Sequence, residues 1–447
     1  MPRQTPEYSG FFRAEKHNGK WWLVDPAGRL FWSHGIDCVR ASSGATPVSL
    51  RKHYFAALPE KDTPLGQYYG WGGWAPHGFY HNKGGYQHYN FTAANLLRKF
   101  GEGWEQTYAD LAHRRIRSWG MNTIGNWSDP AVYRMKKTPY VATIHFHSKP
   151  IEGSSGYWGK FPDPFDVGFR TNLRQRLEQE REHAAKDPYC IGFFVHNELA
   201  WGNETSLSTA ALDSPADQPA KKAIVEHLKT KHSGDIAKLN KVWAANYPSF
   251  DGLMNNPSPG QKNDTFKADM RECYTLIARQ YFDVCRSEVK RVAPNHLYLG
   301  CRFAWVNDLA ARAAGDYCDV VGYNRYRDSV ADFVLPAGID KPVIIGEFHF
   351  GALDRGMFHP GLRKCIDQSE RAAKYTSYVT GALDNPLIVG THWFLYGSQA
   401  TTGRGDGENY QIGFVDLCDT PYPEIIAACR KAGYKLYERR NAGDKNP

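Results

Sequence analysis

The 447-residue chain has no run of 18 apolar residues, and its opening stretch, MPRQTPEYSGFFRAE, has no apolar segment of the kind a secretory signal carries. The first absence excludes a helical membrane span. The second points to the cytoplasm, or to the periplasm or exterior if a leader has been removed. Nine cysteines, an odd number, are scattered with no C-x-x-C pair, which argues against a zinc ribbon and against a disulfide framework. They are expected to be reduced and buried. The 55 basic and 47 acidic residues leave a net charge of +8 without any long block of one sign, whereas a nucleic-acid module concentrates its charge. Neither nucleic acid nor membrane is an expected partner. Repeats, low-complexity tracts and clear linkers are missing too, so residues 1–447 are expected to form one catalytic domain.

What the chain has in excess is aromatic surface, 14% of residues with 13 Trp and 26 Tyr. Flat rings cover sugar faces as well as filling cores. Short β-branched or aromatic runs alternate with longer amphipathic segments, the pattern of repeated βα units. A hairpin over residues 1–28, with Asn18-Gly19 and Asp25-Pro26-Ala27-Gly28 as turns, precedes eight expected strands: 30–39, 121–128, 140–147, 191–198, 296–305, 319–326, 342–350 and 387–396. Helix-like stretches lie at 169–186, 267–292, 368–383 and 423–438. Eight strands each followed by a helix predict an α/β fold of the (β/α)8 TIM-barrel type. Two long βα-loop insertions are expected after strands one and four, at 40–100 and 200–265. The first carries Tyr68, Tyr69, Trp71, Trp74, Phe79, Tyr80, Tyr86 and Tyr89 on a Gly-rich backbone and is expected to fold back over the mouth, where Trp71 and Trp74 could stack on sugar.

In such a barrel the C-terminal strand ends share one face, so polar residues there point to chemistry. The run IGFFVHNELAWG ends strand four on Glu198, and VIIGEFHF ends strand seven on Glu347. Strict alternation along each strand would put Glu198 on the side of His196 and Phe194, and Glu347 on the side of Ile345 and Val343. Two carboxylates across the mouth suit a retaining glycosidase if about 5 Å apart, and an inverting one at about 6.5 Å or more. Asn197 beside Glu198 could bind a sugar 2-hydroxyl, Tyr326 could orient Glu347, and Trp393 could floor the sugar site. His34, Asn126, His196 and Arg302, near other strand ends, complete the expected binding set. The competing expectation is a metal-dependent hydrolase built on His145 and His147 of TIHFH, although no strand-borne Asp or bridging Lys completes a two-metal cage. No metal and no cofactor are expected. The GRGDGEN loop at 403–409 lacks both calcium-loop spacing and a dinucleotide context, so its Arg-Gly-Asp triplet is read as chance.

The stretches RIRSWGMNTIGNWSD, FFVHNELAWG, VIIGEFHFGALDRG and THWFLYGSQATTGRGDGENYQIGFVDLCDTPYPE, with NGKWWLVDPAGRLFWSHGI near the start, together resemble the exo-acting β-agarases of glycoside hydrolase family 50. The resemblance runs from about residue 10 to the end. It implies a TIM barrel with Glu198 as general acid/base and Glu347 as nucleophile, and places Asn197 and Trp393 in the sugar site. It implies end-wise cleavage of an agarose-type red-algal galactan to short oligosaccharides, with another galactan, sulfated or not, or a plain β-galactoside as the alternative. Two features depart from the family pattern: only a short hairpin precedes strand one, and FLYGSQATTGR stands where an Asp-Gln-Pro-like segment is expected.

Overall fold

The computed structural model describes residues 10–442, so the first nine residues of the expected hairpin lie outside it. Its centre is a curled sheet of eight parallel strands: Ser33–Ile36, Thr123–Ile124, Tyr140–Ile144, Cys190–Val195, Leu297–Tyr298, Val321–Asn324, Val343–Phe348 and Ile388–Trp393. Numbered one to eight along the chain, they lie in the order 5-4-3-2-1-8-7-6. A parallel bridge between Phe303 and Tyr323 ties the two edges together, with the Asn324 N–H donating to the Phe303 carbonyl at 2.7 Å.

All eight expected strands form, but shorter than their apolar runs. The expected first strand splits at Trp32: Leu30–Phe31 pairs antiparallel with Lys20–Val24 of the hairpin, and only Ser33–Ile36 joins the parallel sheet. The hairpin turns where the sequence places it, at Asn18 and Gly19, with φ of 49° and 77°, the left-handed pair that a two-residue turn requires.

Alternation along the strands sorts the apolar residues into two layers. Val141, Ile191, Phe194, Leu297, Leu299, Val320, Ile344 and Val389 face inward and meet Phe12, Leu23 and Phe31 of the hairpin region. The hairpin therefore plugs the N-terminal end of the sheet, opposite the end on which the polar strand termini open. The outward-facing residues, among them Ile36, Phe193, Val343, Ile345 and Trp393, form the larger core with the helices. Eight of the nine cysteines are buried, Cys418 being exposed, and all are free.

Helices cover the sheet at Trp104–Ser118, Val167–Glu178, Asp264–Val292, Asp308–Tyr317, Gln368–Asp384 and Pro423–Tyr434. The one-helix-per-strand expectation fails after strand six, where residues 325–342 carry no helix. Asn385 replaces it, donating through Nδ2 to the carbonyls of Val330, Ala331 and Phe333, so the backbone there is satisfied without helical bonds. No described helix is long and apolar enough to cross a membrane.

Both expected insertions have structure of their own. Residues 40–100 form a three-stranded antiparallel sheet of Ala45–Pro47, Tyr86–Asn90 and Tyr69–Gly72, followed by the helix Phe91–Phe100. Several of its aromatics serve a local core, in which Tyr68, Tyr69, Tyr89, Phe55 and Phe91 pack with Val48 and Ala94. Residues 200–265 form the helices Ser206–Leu212, Pro219–Lys231, Ile236–Trp243 and Phe250–Asn255; the first three pack on Asp264–Val292 and the fourth on Pro219–Lys231.

Candidate active site

Strand four ends at Val195, and the next residues leave extended geometry at once: His196 and Glu198 have φ of 63° and 51°. A left-handed backbone is costly for any residue with a Cβ and persists only where its surroundings hold it. Here the His196 N–H donates to Ile144 O at 2.9 Å and the Glu198 N–H to Arg302 O at 3.2 Å. Cys38, Trp127 and Arg302, at the ends of strands one, two and five, are left-handed as well. The strain gathers where the strands open.

Glu347 reaches the mouth by a different route. Val343 and Ile345 belong to the helix-facing core and Ile344 to the inner layer, so strict alternation would have sent Glu347 outward. The register slips here: Tyr323 pairs with Ile345 but Asn324 with Glu347. This bulge inserts one residue and re-aims the carboxylate inward. Gly346 is the extra residue, and a Cβ there would lie 2.6 Å from Arg302 Nε. The missing side chain is what lets the guanidinium lie across the strand.

Arg302 is fully buried and binds several groups. It donates to Asp37 Oδ2 at 2.7 Å, Glu347 Oε1 at 2.9 Å, Asn197 Oδ1 at 3.2 Å and the Gly346 carbonyl. The second oxygen of Glu347 accepts from the Tyr326 hydroxyl at 2.5 Å. Glu198 is held by neutral donors: Oε1 accepts from Asn324 Nδ2 and Oε2 from Trp158 Nε1, each at 2.8 Å. Burial, and then the charge of Glu347, raise its carboxyl to about 7, against the pull of those two donors and of Arg302. A guanidinium only donates, so the Asn197 atom facing Arg302 must be its oxygen, and the amide nitrogen is left to donate elsewhere.

These groups open into a cavity of about 1090 Å³ lined by Glu198, Glu347, Asn197, Tyr326, His196 and Trp74 of the expected set. Tyr157, Trp158, Trp305, Arg404 and Glu408 line it too. The other expected residues lie elsewhere. His34 shares with Trp32 and Ile36 the face toward the helices, where its Nδ1–H donates to Gly120 O at 2.9 Å and Tyr375 bonds Nε2. Trp393 is likewise core, donating to Ile412 O at 2.8 Å among Phe348, Tyr375 and Phe414. Arg302 lies beneath the cavity rather than on its wall, and Asn126 beside it is fully buried. Trp71 is 72% exposed but outside the lining. His196 reaches the lining yet is anchored on the helix side, bonded to the Tyr281 hydroxyl at 3.0 Å and stacked on Phe146. None of residues 200–265 lines the cavity, so the second insertion buttresses a helix instead of the site. Among the described residues no group of three or more His, Cys, Asp or Glu is gathered as a metal site; His145 and His147 stand 5.3 Å apart, ring edge to face.

No model of a known protein family matches the chain. Over 97% of its length it is 38% identical to β-agarase B of Vibrio sp. (strain JT0107), covering 49% of that protein, so it spans about half the length of this curated relative. It superposes on the structure of an exo-β-agarase with a TM-score of 0.91 at 32% identity, covering 97% of this chain and 66% of that one. On PfGH50B the TM-score is 0.92 at 32% identity, covering 98% of this chain and 67% of the other. The chain belongs to glycoside hydrolase family 50. A β-galactosidase from Halorubrum lacusprofundi, 11% identical with a TM-score of 0.52, shares the fold alone.

Sequence reasoning missed several residues that line this cavity or brace the groups in it. Asp37 and Asn324 follow apolar runs just as Glu198 does, in HGIDC and VVGYN, and strand-end polarity was signal enough to find them. Trp158 sits in a Gly-rich loop after strand three, with nothing local to mark it. In the GRGDGEN loop Arg404 bonds Asp406 Oδ2 at 2.7 Å and Glu408 Oε2 at 2.8 Å, and Arg404 and Glu408 line the cavity.

Proposed function

We propose that the chain is a retaining glycoside hydrolase that cuts β-galactosidic linkages of an agarose-type galactan from chain ends, on a closed (β/α)8 barrel acting as one catalytic unit. The observation that carries this reading is the unequal environment of two carboxylates facing one cavity. Glu198, with its carboxyl raised to about 7, has a proton to give near neutral pH. Glu347, fixed by Arg302 and Tyr326, is aimed as a nucleophile. A carboxyl that keeps its proton, facing one fixed by a cation and a phenol, divides the roles of acid and nucleophile.

In the first half-reaction a Glu347 oxygen bonds the anomeric carbon while Glu198 gives its proton to the departing glycosidic oxygen. The glycosyl ester that forms has no charge on Glu347, so one of the causes that raise Glu198 disappears. Glu198 then takes a proton from water, whose oxygen displaces Glu347 and retains the anomeric configuration. The free amide nitrogen of Asn197 supplies a donor to the sugar 2-hydroxyl as positive charge develops on the ring. End-wise action is supported by the 40–100 segment, which walls the cavity with Gly72, Gly73, Trp74, Tyr86 and His88, and by the likeness to an exo-β-agarase.

The test is nucleophile rescue. Glu347→Gly should lose turnover, and azide should restore a product of opposite anomeric configuration; Glu198→Ala should keep activity on substrates whose leaving group needs no proton. Near-normal activity of either variant on the polymer refutes the assignment. On agarose, short products of uniform size are expected, and an early ladder with falling viscosity excludes end-wise cutting. No release from agarose but turnover of another β-galactan moves the substrate, not the mechanism.

A further inference from the structure

Glu198 is held by a residue that no strand carries. Trp158, in the loop after strand three, donates its indole N–H to Glu198 Oε2 at 2.8 Å. That indole is packed by three rings, one of them His77 with its centre 5.2 Å away. Tyr157 meets it edge-on at 4.7 Å, and Trp74, from the 40–100 segment, stacks on it at 5.9 Å with an interplanar angle of 20°. Trp74 is itself held on its other flank by the Arg404 guanidinium, 5.5 Å from the ring centre, and Arg404 is fixed by Asp406 and Glu408.

The contact between these two segments is built in. Thr46 donates to the Gly403 carbonyl at 2.6 Å and Arg51 to the Thr402 carbonyl at 2.7 Å. At Gly405 the backbones come so close that a Cβ would lie 2.6 Å from the Trp74 carbonyl and 2.0 Å from the Tyr86 hydroxyl. Arg404, Trp74, Trp158 and Glu198 thus form one contiguous chain of contacts across three loops. Trp74 remains 56% exposed, so burial alone does not account for its place.

We propose that Trp158 is a positioning residue for the acid/base Glu198, and that Trp74 sets it, so that the 40–100 segment completes the catalytic site as well as walling it. This rests on Glu198 being the acid/base. An indole N–H can only donate, so it steadies the ionised carboxylate and limits the rise that burial and Glu347 impose. The other groups acting on Glu198 are Glu347, Asn324 and Arg302, and Glu198 in turn acts on the Tyr157 and Tyr326 phenols; none of them changes in the variants below.

The experiment compares Trp158→Phe, Trp74→Ala and Glu198→Gln on an agaro-oligosaccharide and on a dinitrophenyl β-glycoside, whose leaving group needs no proton. Trp158→Phe keeps a ring in the stack but loses the N–H, so the alkaline limb of kcat/KM should move up by about one pH unit. Its kcat on the oligosaccharide should fall about tenfold or more, with the dinitrophenyl substrate within about threefold of the parent. Trp74→Ala should shift the same limb in the same direction by less. A Trp158→Phe enzyme with higher KM and an unmoved limb would make Trp158 a sugar platform and overturn the proposal. An unmoved limb in Trp74→Ala would remove the 40–100 segment from it. If Glu198→Gln does not spare kcat/KM on the dinitrophenyl substrate, which reports the step that needs no proton, the acid/base reading itself fails, independently of both tryptophans.

Discussion

Replacing Glu198 by Gln should stabilise the folded protein relative to the parent progressively as pH rises from 4.5 to about 7. Burial and the charge of Glu347 raise the Glu198 carboxyl from 4.5 to about 7. Between those values the unfolded chain has lost the proton that the folded one keeps, so folding weakens as pH rises. The stability tied to this proton is fully present below pH 4.5 and is lost as pH passes 7. Each unit in that window costs about 1.4 kcal/mol, giving about 3 kcal/mol in all. For a chain of 447 residues the unfolding entropy is about 0.9 kcal/mol/K, so the effect on Tm is about 3 °C. Glutamine turns one NH2 hydrogen toward either Asn324 or Trp158, both donors, and that penalty is independent of pH. The diagnostic is therefore the slope: Tm of Glu198→Gln minus parent, measured from pH 4.5 to 8.5, should climb by about 3 °C and level off. A flat difference, or one that falls with pH, would refute a raised Glu198.

The same group should appear in kinetics: kcat/KM on the oligosaccharide should fall above about pH 7, with no such limb for leaving groups that need no proton. Arg302→Met should leave Asp37 and Glu347 buried without their cation, lowering stability by about 3–5 kcal/mol in urea denaturation and abolishing turnover. Tyr326→Phe removes one hydrogen bond to Glu347 and should reduce kcat about 10- to 100-fold in steady-state assays. Phe12→Ala opens the plug at the far end of the sheet; it should cost about 3 kcal/mol of stability and leave kcat/KM unchanged.

The sequence by itself determined the eight strands, the hairpin turn at Asn18-Gly19, the family and the two glutamates, because each is written locally. An apolar run that breaks into a carboxylate is visible without a fold, and so is a turn that only Asn-Gly chemistry suits. Which way a strand-end side chain points is not written locally. Position near a strand end, taken alone, put His34 in the sugar site, and alternation put Glu347 beside Ile345 and Val343. Pairing with neighbouring strands decided otherwise, turning His34 to the helices and using a bulge at Gly346 to bring Glu347 back. Nor could the chain order show that Asp37 and Arg302, 265 positions apart, share one buried ion pair, or that Trp74, Trp158 and Arg404 meet. Those contacts join residues from different strands and loops, and only the curling of the sheet brings them within hydrogen-bonding distance of a carboxylate that the sequence had already marked.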